Sequence, residues 1–204
     1  MTIFEEIPAL SPVQFFALLW DCPYLKGEWR ATAERRIPST AELLGEDEFA
    51  DLYMAWNEQK IIVEVQVRHR SAGDSVELFF DTRDLKTKAH VSKFCHHFIF
   101  SPDEKEGFFG RELTRFRGED IHRLADPKEL ITLPESDDHS YALRIEIPAV
   151  CLHGYDPIQF QRLGFTYRIN RANLPSQHFA VTSEEFAIEQ QPSLWATLKL
   201  VGKK

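Results

Sequence analysis

The chain has 204 residues, 43% hydrophobic and 27% charged, enough apolar content for one domain with a substantial core. A formal net charge of −8 gives no global attraction for phosphate backbones, so nucleic acid is not an expected partner. No apolar run approaches the roughly 20 residues that span a bilayer. The acidic, Pro-interrupted start lacks the pattern of a secretory signal, so a cytoplasmic location with no membrane partner is expected. Cys22, Cys95 and Cys151 are too few and too irregularly spaced for a disulfide framework and are read as buried thiols.

Residues 1–50 are read as an N-terminal extension packing on the main domain. Ser11 and Pro12 open a short helix, a strand lies at 29–32, and Ser39-Thr40-Ala41-Glu42 caps a helical turn that stops near Gly45. The main domain, 51–204, begins where side chains alternate with a period of two. Strands at 51–56 and 61–68 form a hairpin across the turn 57–60. In the second of these, Ile61, Val63, Val65 and Val67 share one face, and Glu64, Gln66 and Arg68 the other. At 75–81, Val76, Leu78 and Phe80 oppose Glu77, Phe79 and Asp81. A strand at 93–100 follows, then a less patterned stretch with a strand at 113–116 and a helical turn at 119–124. A strand at 129–133 pairs with one at 141–147, where Arg144 and Glu146 alternate with apolar residues. Strands at 165–170, 179–182 and 195–201 complete a set of about eight to eleven. The expected class is all-β: an antiparallel two-sheet β-sandwich, jelly-roll-like, with short helical elements near the N-terminus.

The polar strand residues are the candidate ligand-binding site. Glu77, Arg168, Asn170, Arg68, Arg144 and Glu146, with Glu64, Gln66 and Asp81, are predicted to share one sheet surface and line a shallow cleft. The plainer alternative is a solvated sheet face laced by cross-strand ion pairs. Asp81 and Asp84 are candidate calcium ligands in a turn, against the simpler reading of turn-forming acids. His96 and His97 are adjacent on a strand, point to opposite faces and cannot ligate one ion, and no zinc spacing is present. Trp56 and Trp195 are read as core. No nucleophile elbow, phosphate-cradling glycine loop or metalloprotease motif occurs, so the chain is not expected to be an enzyme.

Four blocks, in order, carry a resemblance to a known family. They are Leu52-Tyr53-Met54-Ala55-Trp56-Asn57; Asp74-Ser75-Val76-Glu77-Leu78-Phe79-Phe80-Asp81; Leu163 to Asn173; and Pro192 to Leu200. Across about residues 50–201 the chain resembles the family 9 carbohydrate-binding modules and their DOMON-like relatives. The resemblance implies a non-catalytic sandwich that grips a glucan end between two Trp rings, with Glu, Arg, Gln and Asn bonding the hydroxyls, and structural calcium in some members. Glu77 matches the family's glutamate, and Arg168 stands at its Gln position. Ser71-Ala72-Gly73 stands where the first Trp is expected, and Glu189 where the second is. The binding Arg, expected near His96 and His97, is absent, and Arg171 replaces an Asp. Some DOMON relatives bind haem through Met and His. Met54 and His178 are the matching residue types here, but Met54 is read as core and haem is not expected. The expected partner is a small molecule or glycan held without the Trp clamp. The alternative is an intracellular interaction or scaffold domain that reuses the fold to bind a protein.

Overall fold

The computed structural model describes residues 18–88 and 90–202, so the helix expected at Ser11 and Pro12 lies outside the described residues. Its strands are β1 (Leu19–Pro23), β2 (Ala50–Trp56), β3 (Lys60–Val67), β4 (Ser75–Asp81), β5 (Cys95–Lys105), β6 (Phe108–Glu112), β7 (Ile131–Ser136), β8 (Tyr141–Pro148), β9 (Arg162–Arg171), β10 (Leu174–His178) and β11 (Ala196–Val201). Among the described residues one short α-helix, α1, spans Ala41–Leu44. A seven-stranded sheet runs β1-β11-β9-β4-β5-β6, with β10 also paired to β9, and a four-stranded sheet runs β2-β3-β8-β7. All pairings are antiparallel except β1 against β11, which is parallel.

Alternation places the core between the sheets. Ile61, Val63, Val65 and Val67 of β3 and Tyr141, Leu143, Ile145 and Ile147 of β8 meet Val76, Leu78 and Phe80 of β4, all buried. The outer faces of the two sheets differ. On the small sheet, Arg144 and Glu146 stay partly exposed between buried neighbours, the pattern of a solvated face. On the large sheet every residue of β4 is buried, because a second apolar layer covers its outer side. Phe79 packs there with Val91, Cys95, Val181, Ile188, Leu194 and Trp195. Trp195 donates its indole N–H to the Ile188 carbonyl at 2.8 Å, and Trp56 donates to that of Cys22 at 3.0 Å, so both are core side chains with a satisfied polar edge.

A buried amide ties the sheets together. Gln177 of β10 accepts from the backbone N–H groups of Phe49 and Ala50 at 2.8 and 2.9 Å and donates to the Ala50 carbonyl at 3.0 Å. Its side chain thus pairs with the start of β2 as a strand backbone would.

Several local expectations are corrected. Residues 29–32 form no strand; a 3-10 turn, Ala33–Arg35, follows them. α1 is present and ends at Gly45 with φ 69°, but its N-cap residue Thr40 makes no side-chain cap bond, and the Ser39 hydroxyl accepts from the Ala41 N–H at 3.3 Å. The Thr40 hydroxyl instead accepts from the Ala180 N–H at 3.0 Å, a tertiary bond in place of a local one. The strand beyond β5 is β6, ending at Glu112, and neither 113–116 nor 119–124 is regular. The last hairpin uses β10 in place of 179–182. Asn173 (φ 61°) turns the chain one residue before it, and Ala180 (φ 68°) breaks extended structure just after it.

Candidate functional site

Cross-strand register builds a polar cluster on the outer face of the large sheet. β4 and β9 pair Glu77 with Arg168 and Ser75 with Asn170, while β4 and β5 pair Phe79 with His97. Glu77 is 6% exposed, and its carboxylate receives donors from three sides. Arg168 donates Nε to Oε1 at 2.9 Å and Nη2 to Oε2 at 2.8 Å, a two-pronged ion pair. His97 Nε2 lies 2.6 Å from Oε2, and Asn170 Nδ2 donates to Oε1 at 2.7 Å. Ser176 donates to the Asn170 Oδ1 at 2.9 Å, which sets which end of that amide faces Glu77. The His97 ring stacks on Phe79 with centroids 4.3 Å apart. Burial alone would push the Glu77 acid up. The bonds from His97, Arg168 and Asn170 outweigh it and hold the carboxyl at about 2.

A cavity of about 190 Å³ adjoins this cluster, lined by His97, Leu113, Arg115, Arg168, Glu189 and Gln190. The Arg168 Nη1 has no protein partner among the described residues, and Arg115 is exposed. The bond from the Leu113 N–H to the His97 carbonyl at 2.6 Å carries the chain past β6 and brings Arg115 to the rim. Glu189 reaches the opposite side on a 3-10 turn, Ile188–Gln190. This is the position at which the sequence comparison placed the family's second Trp.

The predicted nine-residue surface is not a single one. Glu77, Asp81, Arg168 and Asn170 belong to the large sheet, whereas Glu64, Gln66, Arg68, Arg144 and Glu146 belong to the small sheet or its edge. Their outer faces lie on opposite sides of the sandwich, so Arg68, Arg144 and Glu146 cannot support a ligand at Glu77. Two of them have local partners: Arg68 bonds Asp51 at 3.0 Å and the Glu48 carbonyl at 2.6 Å, and Glu146 pairs with Lys60 at 2.7 Å. Arg144 lies opposite Glu64 across β3 and β8.

Asp81 and Asp84 do not fit a calcium ion. Asp81 accepts from the Arg83 and Leu85 N–H groups at 2.9 and 2.7 Å, and burial pushes its acid up. The Lys86 ammonium reaches Asp84 Oδ1 at 2.7 Å and also bonds the backbone carbonyls of Trp195 and Ala196. A protein cation already stands where carboxylate and carbonyl oxygens converge. Haem ligation has no support either: Met54 is fully buried in the core, and both His178 ring nitrogens are engaged. His178 contacts Glu46 at 2.6 Å and Ser183 at 2.7 Å. The order matches a hydrolase triad, yet Glu46 also accepts from the His178 backbone N–H at 2.7 Å, so the trio clasps β10 to the end of α1.

Sequence reasoning missed a second histidine cluster. His96 turns inward, opposite to His97, and meets Glu112 of β6 and His122. All three are buried, and their ligand-type atoms lie within 4.8 Å of one another. Only the pairing of β5 with β6 and the fold of an aperiodic segment bring them together.

No family model and no curated protein matches this chain. Solved structures do. A family 9 carbohydrate-binding module from Caldicellulosiruptor kristjanssonii, in complex with cellotriose, superposes with a TM-score of 0.62 at 16% identity, covering 91% of this chain and 95% of that one. The glucose complex of a module of the same description and organism gives 0.62 at 15% identity, with 91% and 97% covered. At this identity the likeness establishes the fold: a two-sheet β-sandwich of the carbohydrate-binding-module type.

Proposed function

We propose that the protein is a non-catalytic binding module for a carbohydrate or similar polyhydroxylated ligand, taken at the cavity beside Glu77, His97 and Arg168. The observation that carries this reading is the clamped guanidinium. Both Glu77 oxygens fix Arg168, and its remaining Nη1, the Arg115 and Glu189 side chains and the Gln190 amide nitrogen, whose oxygen already accepts from Arg117, offer donors and acceptors at one small cavity. Such a set suits adjacent hydroxyls, which both give and accept hydrogen bonds. The volume, about 190 Å³, is below the ~300–1,000 Å³ of drug-sized ligand pockets and favours the end of a glycan over a chain laid along a groove. The fold shared with modules solved with cellotriose and glucose supports the same class of ligand. With Ser71 and Glu189 in place of aromatic rings, ordinary glucan chains are expected to bind more weakly than in a Trp-clamped module.

A glycan array followed by titration calorimetry tests this. Binding should be lost or weakened about tenfold in Arg115→Ala, which alters an exposed side chain. An intact fold that binds no glycan above background would overturn the sugar reading and favour a protein-contact role.

A further inference from the structure

We propose that His96, Glu112 and His122 form a buried site for one divalent transition-metal ion of the zinc type. The three ligands come from β5, from β6 and from the irregular segment after β6. His96 Nδ1 lies 3.0 Å and His122 Nε2 lies 2.9 Å from the same Glu112 oxygen, Oε1. The Thr114 hydroxyl donates to that oxygen at 2.6 Å and accepts from the His97 N–H at 2.9 Å, which holds the carboxylate from a third side.

The outer atoms of the three side chains identify what the inner atoms face. His122 Nδ1 lies 2.7 Å from the Lys93 carbonyl, and His96 Nε2 lies 3.4 Å from the His153 carbonyl. A carbonyl only accepts, so at 2.7 Å the outer His122 Nδ1 carries a proton, while the longer His96 contact fixes no tautomer. In a neutral His122 ring the inner Nε2 then presents a lone pair, and it points at a carboxylate oxygen. Lone pair against lone pair is repulsive. One cation between the three atoms resolves the conflict. Glu112 completes the pattern, its other oxygen accepting from the Ala125 N–H at 2.7 Å. Backbone groups that pin the far side of each ligand are the usual outer partners of a metal site.

The donor set selects the ion. Two imidazoles and a carboxylate suit zinc or its neighbours, whereas calcium takes six to eight oxygens. Donors around a tetrahedral ion with bonds of ~2.0–2.1 Å stand roughly 3.3 Å apart. The Glu112 oxygen stands 3.0 and 2.9 Å from the two nitrogens and all three ligand atoms lie within 4.8 Å of one another, so loading requires Glu112 to move outward and the imidazoles to readjust around the ion. The His153 ring stacks on His122 at 5.6 Å and Phe116 meets it edge-on at 4.7 Å, so the site is closed by packing. The ion's role is structural: it fastens an aperiodic segment, which also brings Arg115 to the ligand cavity, to the inner face of β5 and β6.

The test uses the full-length, untagged chain, stripped with a chelator and dialysed. Zinc titration against a chromophoric chelator should show one high-affinity ion per chain, lost in His122→Ala and Glu112→Gln. Saturating zinc should raise the melting temperature by about 5 °C or more. Cobalt(II) loading of the wild type gives a readout that does not depend on the variants folding. Visible d–d bands of a low-symmetry nitrogen and oxygen site, without a thiolate charge-transfer band, are expected. No uptake by a folded chain, uptake unchanged in a folded His122→Ala, or a cobalt spectrum with thiolate character would each overturn the proposal.

Discussion

Replacing Glu77 by Gln keeps the shape of the side chain and removes its charge, which isolates the electrostatic part of the outer-face cluster. The carboxyl is held at about 2 in the folded chain, against an ordinary 4.5. That depression of about 2.5 pH units corresponds to about 3 kcal/mol at 1.36 kcal/mol per unit. Breaking a buried ion pair by removing one partner costs a similar ~3–5 kcal/mol. Because the folded value is depressed, this stability is fully present above pH 4.5 and is lost as the pH falls toward 2. Urea unfolding at a series of pH values should therefore show Glu77→Gln less stable than wild type by about 3 kcal/mol at pH 7. The gap should close between pH 4.5 and 2, since protonation does to the wild type what the substitution did. The difference between the two curves cancels the other acids. A gap that persists unchanged at pH 2 would show that packing, and not charge, holds the cluster. A gap below about 0.5 kcal/mol at pH 7 would refute the clamp altogether.

Gln177→Ala should destabilise by about 2–4 kcal/mol in the same assay, because it leaves the buried N–H groups of Phe49 and Ala50 and the Ala50 carbonyl unpaired; a loss under 1 kcal/mol would mean that water takes over the amide's role. Gly110→Ala should cost about 1–3 kcal/mol by thermal or urea denaturation, since its Cβ would stand 2.2 Å from a carbon of the fully buried Phe100 ring; a neutral effect would show that the β5–β6 edge yields freely. Glu189→Trp should strengthen glucan-end binding by about 0.5–1.5 kcal/mol, roughly two- to tenfold by calorimetry, through an added stacking face at the cavity rim. Unchanged affinity in a variant that still binds the glycan would place the ligand elsewhere.

Alternation alone located β2, β3, β4, β8, β9 and β11 to within a few residues, because a strand half-buried against a core must repeat every two residues whatever it pairs with. The same rule gave the parity of Glu77, Arg168 and Asn170, and the ordered family blocks pointed to Glu77 itself. Parity reports the two faces of one strand and says nothing of which sheet that strand joins. β3 and β4 follow each other in sequence and alternate alike, yet they lie in opposite sheets. Only tertiary structure could send Arg68, Arg144 and Glu146 to one side of the molecule and Glu77 to the other. It alone showed that His97 supplies a bond to Glu77 in the region where an Arg was expected, and that Lys86 answers Asp84. His96, Glu112 and His122 met for the same reason. Their convergence depends on a β5–β6 pairing and on a stretch without periodicity, so no local pattern records it. What the sequence determined is a sandwich with Glu77, Arg168 and Asn170 on the polar face of their strands; long-range pairing decided which sheet they join, that the acid is buried, and which side chains surround it or form a separate centre inside.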